Sequence, residues 1–183
     1  MREGEAPAWV WKLEELSGRQ FPCIMADPPW GYGNQATRSA TGRHYPTMTL
    51  EALCALPVAQ LAAPNAHLHL WTTSPLVESG FAVLRAWGFA YKSMFVWVKP
   101  EAGLGNYWRV SHEILLLGLR GRLMPLDKPV RSWMEHPRGE HSSKPDRIRE
   151  LVEKFSPGPR LELFGRRKVP GWTVFGNEQS SML

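Results

Sequence analysis

The residues best suited to chemistry in this sequence are Asp27-Pro28-Pro29-Trp30, here called the DPPW motif, which directly follow the apolar run at 21–26. The order predicts a carboxylate at the end of a buried strand, a backbone fixed by two prolines, and an aromatic ring just beyond. The carboxylate of Asp27 and the carbonyl of Pro28 can accept the two N–H protons of an exocyclic amine, while Trp30 stacks on the base that carries it. Such a socket favours attack by the amine, as in methyl transfer. A rigid strand-ending turn, with Asp27 capping local N–H groups, fits the same residues equally well.

The sequence that follows the motif alternates between strand and helix patterns. Strands are predicted at 67–71, 92–98, 113–119, 160–164 and 172–175, and helices at 50–56, 74–87 and 144–155. Ser74 is the predicted N-cap of the second helix, with Pro75 as its first residue and Gly88 as its stop. This alternation indicates an α/β fold of βαβ units, with a mainly parallel sheet and helices on both faces.

Ligands of such sheets bind at the carboxyl ends of the strands. Asp27, Lys99 and Gly165 are all predicted to lie there, and we expect them to share one crevice. Residues 31–46 are polar, contain three glycines and lack periodicity, which predicts a mobile loop beside this crevice. The candidates for substrate contacts lie in this loop and at the strand ends: Tyr32, Arg43, His44, Tyr45, Lys99 and Glu113.

Length and composition set the class of protein. The 183 residues fit one domain, 1–183, with a substantial core, and 22 Lys and Arg against 17 Asp and Glu give a net charge of +5 that mildly favours a polyanionic partner. Cys23 and Cys54 have no neighbours at metal or redox spacing and are expected to be reduced core residues. No stretch is long and apolar enough for a bilayer and the amino terminus resembles no signal peptide, so we expect a soluble, cytoplasmic protein without membrane partners.

Several weaker patterns have structural explanations as well as functional ones. His67 and His69 share one face of a strand but lack a third ligand, so a structural role is favoured and no metal is expected. Trp108 and Trp133 lie in loops where base stacking is possible. The basic stretch at 120–144 weakly favours nucleic-acid contact over a solvated loop. Four other tryptophans are expected in the core: Trp71, Trp87, Trp97 and Trp172.

Seven collinear segments resemble a known family. The chain is similar, from about residue 21 to 179, to the adenine-N6 methyltransferases that include the catalytic subunit of the eukaryotic messenger-RNA N6-adenosine methyltransferase and small bacterial and phage enzymes. The resemblance implies a Rossmann-like fold that uses S-adenosylmethionine, with the catalytic motif preceding the cofactor-binding strand. The segments are Met25-Ala26-Asp27-Pro28-Pro29-Trp30, Tyr45-Pro46-Thr47-Met48, Trp71 with Thr73, Trp97-Val98-Lys99, Ser143-Lys144-Pro145-Asp146, Leu161-Glu162-Leu163-Phe164-Gly165-Arg166 and Gly176-Asn177.

The resemblance also implies roles for individual residues. The DPPW motif becomes the catalytic centre, in which Asp27 and Pro28 hold the target amine, Asp27 also contacts the amino group of the cofactor, and Trp30 stacks on the base. Lys144 corresponds to a lysine that pairs with the methionine carboxylate of the cofactor. The eukaryotic His-Asn pair is replaced by Arg167-Lys168-Val169, which makes Arg167 or Lys168 a candidate substitute donor. The other implied cofactor-binding residues are Phe164, Gly165, Arg166, Asn177 and Glu178.

These features together predict S-adenosylmethionine-dependent methylation of adenine N6 in DNA, on a base that is flipped out or single-stranded. DNA is favoured over RNA because so short a catalytic core resembles the bacterial and phage enzymes. Cytosine N4 is a second rival, since the same acceptors suit any exocyclic amine. A non-catalytic nucleic-acid-binding subunit is the alternative from another class, against which the intact DPPW motif argues. Because the family often works as dimers, either a homodimer or a heterodimer fits the sequence.

Overall fold

Strands and helices alternate through most of the chain. The computed structural model describes residues 13, 15–31, 47–101, 103, 107–128, 130–139 and 143–176. The strands within them are β1 (Phe21–Ala26), β2 (Ala62–Thr72), β3 (Ala90–Val98), β4 (His112–Arg120), β5 (Trp133–Glu135), β6 (Arg160–Leu163) and β7 (Trp172–Phe175). The helices are α1 (Leu50–Cys54), α2 (Val58–Leu61), α3 (Val77–Ala86) and α4 (Asp146–Phe155), with a 3-10 turn at Ser74–Leu76.

The strands form one sheet in the order β5-β3-β4-β2-β1-β6-β7. β1 is parallel to β2 and β6, and the pairs β6–β7 and β3–β5 are also parallel. β4 alone runs antiparallel to its neighbours β2 and β3. The predicted α/β, Rossmann-like fold is therefore confirmed. As a result, the start of β4 lies with the carboxyl ends of β1, β2, β3 and β6 at one end of the sheet, here called the carboxyl end.

Helices cover both faces of the sheet, as predicted. On one face, apolar side chains of β1, β2 and β4 pack with α1, α2 and α3 in one core, which includes Ile24, Leu70, Leu116 and Leu84. On the other face, Met25, Trp71 and Leu115 pack with Ile148 and Val152 of α4. Each buried aliphatic or aromatic side chain contributes roughly 1.5–3 kcal/mol. The four tryptophans predicted for the core are each 8% exposed or less.

The region around α3 differs from its prediction at one end. Residues Ser74–Leu76 form a 3-10 turn, and the α-helix starts at Val77. Neither Thr73, which precedes the turn, nor Leu76, which precedes the α-helix, supplies a side-chain cap. The predicted N-cap role of Ser74 is therefore wrong, because Ser74 already lies inside the turn. Gly88 does end the helix: its φ is +83°, and the Phe89 amide donates to the Leu84 carbonyl at 3.1 Å, as in a glycine-terminated helix.

Strand β5 was not predicted. Its three residues show no alternation of their own, and they are extended because they pair with the edge of β3. The amide of Val96 donates to the Ser132 carbonyl at 2.9 Å, and the His136 amide donates to the Val98 carbonyl at 3.0 Å. In the described part of the chain, no helix has the length and apolar character needed to cross a membrane.

One hydroxyl joins the two histidines of β2. The Ser156 Oγ lies 2.9 Å from both His67 Nδ1 and His69 Nε2, so it donates to one ring and accepts from the other. Burial lowers the pKa of His69 to about 3, which keeps its ring neutral. Among the described residues, no three His, Cys, Asp or Glu side chains have a metal-binding arrangement. The contacts of these histidines tie β2 to the residue that ends α4.

We predict that Ser156→Ala destabilises the protein by about 1–3 kcal/mol, because two buried imidazoles lose their shared partner. Urea unfolding measures the change in free energy. Ser93→Ala is the matched control, since Ser93 is exposed on β3 and should change the free energy by less than about 0.5 kcal/mol. Equal stability of the two variants would contradict the structural role of Ser156.

Candidate active site

The DPPW motif lies at the carboxyl end of the sheet, directly after β1. The Asp27 amide donates to the Leu163 carbonyl of β6 at 3.4 Å, which continues the pairing beyond the strand. The Pro28 carbonyl accepts from the Trp30 amide at 2.9 Å, and this tight turn sets the direction of the carbonyl. The motif therefore presents a fixed backbone acceptor next to a carboxylate, as its sequence predicts.

The residues on either side of 32–46 are hydrogen-bonded at the DPPW motif. The Met48 amide donates to the Pro29 carbonyl at 2.9 Å, and the Gly31 amide donates to the Met48 carbonyl at 3.2 Å. Both ends of the predicted loop thus meet at the DPPW motif. Six predicted site residues lie outside the described residues: Tyr32, Arg43, His44, Tyr45, Asn177 and Glu178.

Trp30 is more deeply buried than a stacking surface requires. Its side chain is 9% exposed and belongs to the core beside α1–α3, and its indole N–H donates to the Trp71 carbonyl at 3.0 Å. This hydrogen bond fixes the motif against β2. Stacking of Trp30 on a base stays a prediction, and only a small part of the ring is accessible for it.

Four charged side chains form a continuous chain at this end of the sheet. Lys144 Nζ lies 2.6 Å from Asp27 Oδ2 and 3.3 Å from Glu113 Oε2, and the other oxygen of Glu113 pairs with Lys99. These residues come from the ends of β1 and β3, the start of β4 and the segment before α4. The structure therefore brings together four of the predicted site residues, and we call them the ionic cluster.

Two buried tryptophans form the floor beneath the two cations. Lys144 Nζ lies 5.3 Å from the centre of the Trp71 ring, and Lys99 Nζ lies 4.7 Å from that of Trp97. The two rings meet edge to face, with centroids 6.2 Å apart. Cation–π attraction of this kind holds each ammonium over an aromatic face. Trp71 and Trp97 were predicted only as core residues, but they also position the ionic cluster.

The electrostatics of the cluster keep Glu113 and Lys144 charged. Burial raises the pKa of Glu113, but the Lys144 and Lys99 cations outweigh burial and bring the pKa below its ordinary 4.5. Burial lowers the pKa of Lys144, but the carboxylates of Asp27 and Glu113 outweigh burial and bring the pKa above its ordinary 10.5.

These shifts fix the pH range in which the cluster stabilises the fold. The contribution of Glu113 is complete above its ordinary pKa and is lost as the pH falls through the lowered value. The contribution of Lys144 is complete below its ordinary pKa and is lost as the pH rises through the raised value. Both contributions are therefore present from about pH 5 to about pH 10.

A cleft of about 200 Å³ opens beside the cluster, between the end of β1, α4 and the end of β6. Two walls of it come from segments predicted to bind the cofactor. The predicted residues that line it are Asp27, Lys144, Phe164, Gly165 and Arg166, and Arg167, a candidate substitute donor, lines it too. Residues far apart in sequence thus meet in one cleft, whereas Lys99 and Glu113 connect to it through Lys144.

The wall from β6 has an unusual backbone. Phe164 has a φ of +66°, a left-handed conformation that is costly for a residue other than glycine. The next residue, Gly165, has no room for a side chain, because a Cβ there would overlap Val174 of β7. Gly176 is packed as closely against the backbone of Gly165. The chain therefore turns sharply out of β6 while staying in contact with β7.

A second ion pair in the cleft was not predicted from the sequence. Both terminal nitrogens of Arg149 donate to the Glu162 carboxylate, at 2.6 and 3.0 Å, and the guanidinium lies 5.3 Å from the Trp172 ring centre. Glu162 sits between two leucines of β6, so its polar character in a buried strand was the available signal. No such signal pointed to Arg149, because its partner Glu162 lies on a different secondary-structure element.

Comparison with known proteins identifies the family. Residues 21–178 match MT-A70. The type II methyltransferase M.MunI of a Mycoplasma species is 30% identical over 90% of this chain and 80% of its own length. Human METTL3, an N(6)-adenosine-methyltransferase catalytic subunit, is 29% identical over 87% of this chain but only 28% of its own length. Human METTL4, an N(6)-adenine-specific methyltransferase, is 29% identical over 87% of this chain and 38% of its own length.

The matched range contains the DPPW motif, the ionic cluster and the described lining of the cleft. The family predicted from the seven collinear segments is confirmed. The chain belongs to the MT-A70 family of adenine-N6 methyltransferases and is an enzyme of that class.

Proposed function

We propose that this enzyme transfers the methyl group of S-adenosylmethionine to N6 of adenine in DNA, on a base that is flipped out of the helix or unpaired. The observation that supports the proposal most strongly is the position of Lys144 between Asp27 and Glu113. This cation joins the carboxylate that can hold the target amine to the cleft that can hold the cofactor.

The amine-binding part of the site consists of two acceptors that are already oriented. Lys144 engages one oxygen of Asp27, and the carboxylate keeps further lone pairs for an amine proton. The Trp30 amide holds the Pro28 carbonyl, whose second lone pair is available in the same way. Accepting both amine protons localises the nitrogen lone pair, and the negative charge of Asp27 stabilises the positive charge that develops on nitrogen during attack.

The cleft has donors and acceptors that fit the amino-acid end of S-adenosylmethionine. The Lys144 ammonium has three N–H donors, of which Asp27 and Glu113 take two, so the third can hold a carboxylate. Asp27 can accept from an ammonium, and Arg166 and Arg167 add polar groups to the cleft. When bound, this cofactor supplies an electrophilic methyl group on a sulfonium; the residues of the chain bind it, orient the amine and exclude water.

DNA is proposed as the polymer because M.MunI, a type II methyltransferase, is matched over 80% of its length, whereas METTL3 is matched over 28%. The resemblance to small bacterial and phage enzymes supports the same choice. Adenosine in RNA is the second candidate, which the METTL3 name supports. A non-catalytic subunit is the rival from another class, and the intact DPPW motif argues against it.

We predict that Asp27→Asn lowers methyl transfer by about 100-fold or more, because the amide keeps the shape of the carboxylate but loses its charge. Transfer of labelled methyl groups from S-adenosylmethionine is measured on DNA and RNA oligonucleotides of the same sequence. Each polymer is tested in two forms, in which the amine-bearing base is either adenine or cytosine. The wild type should label adenine-containing DNA. Circular dichroism checks that the variant is folded.

Asp127→Asn is the matched control, because Asp127 is an exposed carboxylate that accepts from the neighbouring Lys128 amide, away from the cleft. It should retain wild-type turnover. Full turnover by Asp27→Asn would contradict the catalytic role of the carboxylate. Labelling of RNA alone would show that the substrate is RNA. Labelling of cytosine would show that the target base is cytosine and not adenine.

We predict that Lys144→Met raises the pH midpoint of acid unfolding by about one unit. Without this cation, burial raises the pKa of Glu113 with only Lys99 left to oppose it, so Glu113 takes up its proton at a higher pH. Stability that depends on the ionised carboxylate is then lost earlier as the pH falls. Circular dichroism across an acid titration measures the midpoint.

Lys92→Met provides the control, because Lys92 is exposed on β3 and its removal changes net charge equally. An identical midpoint for both variants would show that Lys144 does not stabilise the carboxylates as the structure indicates. In the same variants, methyl transfer should fall about tenfold or more only for Lys144→Met, since a bound carboxylate loses a charge-assisted hydrogen bond.

A further inference from the structure

Two large aromatic residues project from the loop between β3 and β4. Tyr107 is 97% exposed and Trp108 is 86% exposed. Other large hydrophobic side chains at the carboxyl end of the sheet, such as Trp30, Trp71 and Trp97, are buried. Two adjacent, almost fully exposed rings place apolar surface in water, and exposed patches of this kind mark interaction sites.

The base of this loop is held firmly. The Lys99 amide donates to the Ser111 carbonyl at 2.6 Å, and the Gly103 amide donates to the Val110 carbonyl at 3.2 Å. Gly103 must be glycine for this approach, because a Cβ would overlap the Val110 carbonyl oxygen. The two rings are therefore presented from a closed hairpin stem.

The stem also places the rings near the proposed active site. Lys99 and Glu113, two members of the ionic cluster, flank this hairpin at the carboxyl end of the sheet. Trp108 is five residues from Glu113, which is at most about 18 Å of extended chain. One polymer that delivers its base to Asp27 can therefore reach the two rings as well.

The charge around the rings fits a phosphate backbone. Arg109 directly follows Trp108 and is exposed. The guanidinium of Arg138 approaches the stem, 3.6 Å from the position of a Cβ on Gly103, and Arg138 is exposed too. The exposed Glu101 is the one acidic side chain among the described residues of this loop. Arg109 and Arg138 thus place cationic groups beside the rings and the stem, and such groups complement a polyanion.

We infer that Tyr107 and Trp108 form a stacking platform for unpaired bases that neighbour the target adenine, and that the preferred substrate is single-stranded or locally melted DNA. This inference rests on the proposed function and narrows its substrate. Exposed planar side chains bind polynucleotides by stacking on base faces. A duplex hides those faces between its base pairs, so the platform gains little from intact double-stranded DNA.

Binding of labelled oligonucleotides, measured by fluorescence anisotropy in the absence of cofactor, tests the platform. Tyr107→Leu and Trp108→Ala should each weaken binding of single-stranded DNA by about 5- to 100-fold. The same variants should weaken binding of the matched duplex less than about twofold. Tyr91→Leu is the matched control for Tyr107→Leu: Tyr91 is 45% exposed at the opposite end of β3, and this change should leave affinity for both forms of DNA unaltered.

Unchanged affinity of the Tyr107 and Trp108 variants for single-stranded DNA would overturn the inference. So would an equal loss with duplex, or a loss with single-stranded RNA of the same sequence but not with DNA. A change in sedimentation of the protein without any change in DNA affinity would assign the rings to a protein interface instead. Because the readout is binding, it does not depend on methyl transfer: a wild type that stacks but does not methylate refutes the proposed function alone.

Discussion

The contact of Lys144 with both Asp27 and Glu113 is the interaction on which the site depends. Two carboxylates brought to one site repel each other, and burial adds a desolvation cost that a cation between them can offset. The Lys144 ammonium removes that conflict, and the Trp71 ring supports it from below. The Asp27 carboxylate is thereby held in place at the cleft, where a negative charge can stabilise the amine that we propose as the nucleophile.

The topology of the sheet makes this contact possible. Asp27 and Lys99 follow parallel strands, but Glu113 comes at the beginning of its strand. Because β4 runs antiparallel to β2 and β3, the start of β4 lies at the same end of the sheet. A parallel β4 would place Glu113 at the far end, and Lys144 would lose one of its two partners. The reversal of one strand thus completes the ionic cluster, and it also produces the hairpin that presents Tyr107 and Trp108.

Local signals explain why much of the fold was predictable. Alternating apolar runs predict the strands, Gly88 predicts the end of α3, and the DPPW motif predicts the location of the Asp27 carboxylate. The direction of β4, the short β5 and the burial of Trp30 depend on pairing between distant segments, which no local pattern records. The same holds for the Arg149–Glu162 pair and for the contact of Lys144 with Asp27, whose members are 117 positions apart. Residue types at the site were therefore predictable, but their mutual contacts were not.

A double-mutant cycle tests whether Asp27 and Lys144 act as one unit. Methyl transfer is measured for the wild type, Asp27→Asn, Lys144→Met and the double variant under the same conditions. We expect strong non-additivity, with the double variant about as slow as the slower single variant, because each change already disrupts the shared contact. A loss in the double variant that equals the product of the two single losses would show instead that the two side chains act independently.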